Sequence, residues 1–64
     1  MNPKIMIFGA YGFLGSYLCD HLKNTYKIYK IGRNSKSQIQ LKKFNQRNIQ
    51  KLIKLIKPNI IVNL

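Results

Sequence analysis

Three glycines in the chain, Gly9, Gly12 and Gly15, stand at three-residue intervals in "FGAYGFLGSYL". The residue type and the spacing suit one task, holding a phosphate against backbone. A first glycine lets the chain turn sharply as it leaves a strand, a second lets a pyrophosphate approach, and a third lets the following helix pack close to the strand. The first N–H groups of that helix, and its positive end, then face the anion. Such a turn works only between a buried strand and a helix. The apolar run in Lys4–Phe8 and the amphipathic stretch from Gly12 or Phe13 to Asn24 meet that need.

The rest of the chain continues the alternation. Leu14, Tyr17, Leu18, His21 and Leu22 follow helical periodicity and predict the buried face of the first helix. Tyr26–Gly32, "YKIYKIG", reads as a strand with Ile28 and Ile31 inward and Lys27 and Lys30 on a wetter face. "QIQL", Gln38–Leu41, is a very short strand or loop. Asn45 is an N-cap for a helix from Gln46 to Lys57, with Ile49, Leu52, Ile53 and Ile56 as its buried stripe. Pro58 stops that helix, and "NIIVNL" reads as a buried strand. Strands alternating with helices imply an α/β fold with a parallel sheet.

Composition sets the outer limits. Sixty-four residues make one domain at most, residues 1–64. A domain this small buries about 60% of the surface its unfolded chain exposes. One Cys, one His and one acid leave no disulfide framework, no metal cluster and no carboxylate pair. No apolar run approaches the ~20 residues of a membrane helix. The expectation is a cytoplasmic protein with no membrane association. Twelve Lys and Arg against Asp20 give a net charge of +11, which would attract phosphate-bearing ligands of any kind.

With these residues in place, "KIMIFGAYGFLGSYLCDHL" resembles the start of the extended short-chain dehydrogenase/reductases, the NAD-dependent epimerase/dehydratase family. Phe13-Leu14-Gly15 matches its aromatic-aliphatic-glycine ending, and "NIQKLIKLIKPNIIVNL" is similar to a helix and strand of dTDP-4-dehydrorhamnose reductases. The resemblance implies the N-terminal part of a Rossmann-type doubly wound sheet, strand order 3-2-1-4, truncated after its first quarter or so. It implies a dinucleotide at Gly9, Gly12 and Gly15, with backbone contacts from Tyr11, Phe13 and Leu14. Asn63 would stand on the nicotinamide side. Where the family commonly has an Asp against the adenine, "QLKKFN" offers Lys42.

Two further residues decide how this would be used. An acid about 20 residues beyond the turn selects NAD, whereas a nearby Arg accommodates the 2′-phosphate of NADP. This chain has Gly32-Arg33-Asn34 and no acid there, which favours NADP(H) over NAD(H). Tyr26 and Lys30 spell the family's catalytic Tyr-x-x-x-Lys. That pair acts from one helix face, however, and on a strand the two lie about 13 Å apart. They are therefore excluded, and no catalytic residue is assigned. The expected function is an NADP(H)-binding segment of a nucleotide-sugar reductase or epimerase that does not catalyse alone. The alternatives are a non-catalytic nucleotide-binding subunit that completes its sheet with a partner chain, and a small basic nucleic-acid-binding protein. The aromatic residues are not arranged on one strand pair as base stacking requires, which counts against nucleic acid.

Overall fold

A computed structural model describes residues 2–64. The order is β1 (Lys4–Phe8), α1 (Phe13–Leu22), β2 (Lys27–Gly32), β3 (Ile39–Gln40), α2 (Gln46–Ile56) and β4 (Ile60–Asn63). All pairings are parallel and the sheet runs β3-β2-β1-β4. This is the expected α/β architecture of the Rossmann type. β1 lies inside the sheet, with Ile5 opposite both Ile28 and Ile60. Its Ile5, Met6, Ile7 and Phe8 are all buried, as a strand covered on both faces requires.

The pleat divides these side chains between two cores. Ile5 and Ile7 join Ala10 and Cys19 under α1, with Leu18, Leu22 and Ile28 packed around them. Met6 and Phe8 join Ile31 and Ile56 under α2, with Ile49, Leu52 and Ile53 alongside. The apolar stripe expected for α2 is therefore the one it buries. Its N-cap is also as expected: the Asn45 side chain accepts from the Asn48 N–H at 2.9 Å. The helix ends where Lys57 turns left-handed at φ 54° and its N–H returns to the Ile53 carbonyl. Asn59 then ties the start of β4 to Lys4 by two hydrogen bonds, one accepted by its side chain and one donated by its N–H.

Three expectations change. The buried face of α1 is Gly15, Leu18, Cys19 and Leu22, while Leu14, Tyr17 and His21 are exposed. Gly15 itself rests on the turn below, where a Cβ would lie 2.5 Å from the Gly9 carbonyl oxygen, so the face that carries Gly15 is the one turned to the sheet. β2 has no simple wet face, because Ile28 and Ile31 are an odd number of residues apart and enter opposite cores. β4 is apolar but not buried. Ile60 and Ile61 are exposed and only Val62 is packed, since β4 is an edge strand hydrogen-bonded only to β1 among the described residues.

Candidate functional site

The strand order reverses beside β1: β2 and β3 lie on one side and β4 on the other. Ligands of open parallel sheets bind beyond the carboxyl ends of the strands at such a reversal. The residues that leave β1 there are Gly9 to Gly12, so the chain's own topology brings the glycine turn to this point.

Each glycine has a different environment. Gly9 adopts φ +83°, in the left-handed region that side chains disfavour, and turns the chain out of the sheet. Gly15 is in α1, and a Cβ there would lie 2.5 Å from the Gly9 carbonyl oxygen and 2.6 Å from the Ala10 Cα. Gly12 is under no such constraint. It is the extended N-cap of α1, and a Cβ there would meet nothing nearer than the Gly9 oxygen at 3.9 Å. The protein's own packing requires glycine at positions 9 and 15; at position 12, which lines the cleft described next, it does not.

The start of α1 is unusually bare. Gly12 offers no side-chain cap and the first turn has no acid. The first intrahelical bond is from the Ser16 N–H to the Gly12 carbonyl, 2.9 Å, so the N–H groups of Phe13, Leu14 and Gly15 have no acceptor within the helix. The Phe13 side chain is 93% exposed and contributes nothing to either core. The Leu14 side chain is exposed as well.

Between the glycine turn and the end of β2 lies a cleft of about 490 Å³, within the range of small-molecule sites. Gly9, Tyr11 and Gly12 form one wall; Ile31, Gly32 and Arg33 form the other. Asn34, Lys36, Ser37 and Phe44 complete it. Two cations and no acid line the cleft. The Arg33 guanidinium lies 4.9 Å from the centre of the Phe44 ring, and among the described residues its N–H groups donate to no protein acceptor. The cation thus rests near an aromatic ring with its N–H donors unused by the protein among the described residues, an arrangement able to accept an anion.

The eight residues singled out from the sequence fall into three groups. Gly9, Tyr11, Gly12 and Arg33 meet in the cleft. Phe13, Leu14 and Gly15 form the adjoining helix start. Asn63 is at the carboxyl end of β4, opposite Phe8, and is not in the cleft wall. Asn34, Lys36, Ser37 and Phe44 were missed. The signal for Asn34, Lys36 and Ser37 is the connection after Gly32, too short for a helix; Phe44 lies beyond β3 and carries no such signal. Tyr26 precedes β2 and packs on the α1-side core, whereas Lys30 is within β2, so the two do not form a helical pair.

Asp20, the chain's one acid, is away from the cleft on exposed α1 surface. Lys23 donates to it at 2.9 Å, and that hydrogen bond, aided by the positive charge, holds its carboxyl below the usual range. No helix among the described residues is long and apolar enough to cross a membrane.

Comparison with known proteins adds one finding. The model of the NAD dependent epimerase/dehydratase family matches residues 5–64. No curated protein and no solved structure matches the chain.

Proposed function

The chain belongs to the NAD dependent epimerase/dehydratase family, and from that membership we propose that its cleft holds a nicotinamide dinucleotide, NADP(H) in preference to NAD(H). The observation that carries the reading is the difference between Gly12 and its neighbours. The space around Gly12 is open, it adjoins three N–H groups that have no acceptor within the helix, and no packing among the described residues requires it. A pyrophosphate has the charge and the acceptors such a place suits.

Within this reading Gly9, Gly12 and Gly15 shape the cradle, and the N–H groups of Phe13 and Leu14 donate to phosphate oxygens. Tyr11 forms the wall between the cradle and the adenosine side. Arg33 takes the 2′-phosphate with a planar pair of N–H donors. Asn63, at the reversal in strand order, stands towards the nicotinamide. When bound, the nicotinamide supplies hydride transfer. The residues described here bind and orient; none of them is assigned a proton-transfer role.

Residues 1–64 then belong to the NAD(P)-binding part of a cytoplasmic nucleotide-sugar reductase or epimerase, one of the dTDP-4-dehydrorhamnose reductase type. The support for that finer assignment is the likeness of "NIQKLIKLIKPNIIVNL" noted above. A second reading has its own observation. The outer edge of β4 is unpaired among the described residues, and Ile60 and Ile61 are exposed there. A partner strand added to that edge would make the chain a nucleotide-binding subunit of a larger assembly.

Calorimetric titration of the purified chain with NADPH and NADH tests the first reading. Saturable binding with NADPH the tighter ligand is expected. No heat from either at millimolar cofactor would sink it.

A further inference from the structure

Arg33 rests near Phe44, which packs edge-on against Phe8, but the segment that follows Arg33 in the chain has little to hold it. Six residues, 33–38, connect β2 to a β3 of only two residues. Within this connection Asn34 makes a local turn, its side chain accepting from the Lys36 N–H at 3.0 Å and its carbonyl from the Ser37 N–H at 3.0 Å. The Gln38 side chain accepts from the Lys30 N–H, and that of Gln40 donates to the Arg33 carbonyl. All of these bonds stay within the β2–β3 unit. They shape the segment but do not fix it relative to the glycine turn.

One contact does. The Gln38 backbone N–H donates to the hydroxyl of Tyr11, which projects from the glycine turn itself. The Tyr11 ring also lies against the end of β2. A Cβ on Gly32 would stand 3.2 Å from its Cδ2 and would collide with the Ser37 hydroxyl. Gly32 thus leaves room for Tyr11 and Ser37 to close over the strand end. The Lys30 ammonium, 5.7 Å from the ring centre, adds a third tie between this ring and β2. Tyr11 accordingly spans the cleft from one wall to the other.

We infer that Tyr11 is a positioning residue for cofactor choice: its phenol docks the 33–38 segment on the glycine turn and so presets the anion-binding side chains of the cleft. The inference rests on the proposed binding of NADP(H), and deepens it. A 2′-phosphate needs Arg33 and Lys36 in fixed places, because ordering long cationic side chains at the moment of binding reduces affinity. A ribose with a free 2′-hydroxyl has no charge there and depends less on their placement. Releasing the segment should therefore weaken NADPH more than NADH.

The test compares wild type with Tyr11→Phe, which keeps the ring against Gly32 and removes only the acceptor. Calorimetry with NADPH and NADH should show the ratio of the two affinities falling about three- to tenfold, the range of one hydrogen bond. An unchanged ratio, with wild type still preferring NADPH, overturns the inference and leaves the proposed function standing. Wild type that binds neither cofactor, or NADH as tightly, overturns the proposed function and this inference with it. Amide hydrogen exchange gives an independent measure needing no cofactor. In wild type the Gln38 amide should be protected, and in Tyr11→Phe it should exchange faster while Leu41, bonded to the Gly32 carbonyl, does not change. A Gln38 amide as open in wild type as those of exposed loops overturns the inference even if the variant does not fold.

Discussion

The Gly9 carbonyl oxygen would lie 2.5 Å from any Cβ placed on Gly15. The contact is backbone on backbone, so no rotamer change relieves it. α1 rests directly on the turn that launches it, and its distance from the sheet is set there. Gly15→Ala must push the helix off β1. A loss of about 1–3 kcal/mol in urea unfolding is expected, as for other overpacked positions. An unchanged midpoint would mean that the turn yields easily and that the close contact is not what places the helix.

Gly12→Ala should behave in the opposite way. Its backbone is extended, φ −81°, and the added methyl meets no close neighbour. Unfolding stability should change by no more than about 0.5 kcal/mol. NADPH affinity should fall by about ten- to a hundredfold, because the methyl occupies space that the proposed pyrophosphate needs. Paired urea and calorimetric titrations check this. Loss of stability without loss of binding would show that the cleft is not the cradle.

Arg33→Ala removes the guanidinium but leaves Phe44 and the cleft wall. NADPH should weaken by about ten- to a hundredfold, the value of hydrogen bonds to a charged group, and NADH much less. The preference of wild type for NADPH should also decline as salt rises, since the cation is exposed. Equal loss of both cofactors would place Arg33 on the pyrophosphate instead.

Asn45→Ala tests the α2 cap alone. It removes the acceptor of the Asn48 N–H without touching the cleft. A loss of about 1 kcal/mol by urea unfolding is expected, with cofactor affinity maintained.

The Asp20–Lys23 pair makes a prediction in pH. The Lys23 hydrogen bond and charge lower the Asp20 carboxyl in the folded chain, so the unfolded chain takes up its proton first as pH falls. The pair's contribution is present above the unfolded carboxylate's midpoint and disappears as pH falls through the lowered folded one. Both side chains are well exposed, which keeps the contribution small. Carboxyl NMR titration should show Lys23→Gln returning Asp20 towards the ordinary range. No movement would remove Lys23 as the cause.

Much of the fold is legible because local and global signals agree. The run in β1, the Asn45 cap and the α2 stripe each have one physical reading. The α1 face does not. Leu14 and Tyr17 carry the apolar signal, whereas Gly15, which is buried, carries none on a hydropathy scale. The close packing of Gly15 marks the face that meets the sheet, yet hydropathy periodicity passes over it. β4 misleads differently: Ile60 and Ile61 look like core residues, but burial depends on layers that strand composition does not encode. Of the site, the glycine turn and Arg33 were legible. The Tyr11–Gln38 bond was not, since it joins residues brought together only by the pairing of β1 with β2 and the fold-back of the segment after β2.

The central place of β1 has a consequence for synthesis. It leaves the ribosome before the strands it pairs with, so neither of its edges can pair until those later segments arrive. Lys27–Gly32 supplies one neighbour, and the other waits for Ile60–Asn63, 55 positions beyond in the register of Ile5 with Ile60. Loop closure must precede any reward from such pairings, so their formation is slow compared with that of the helices. The most apolar strand of the chain is therefore the one exposed longest during translation, and the nascent protein is most vulnerable to aggregation before β4 has emerged.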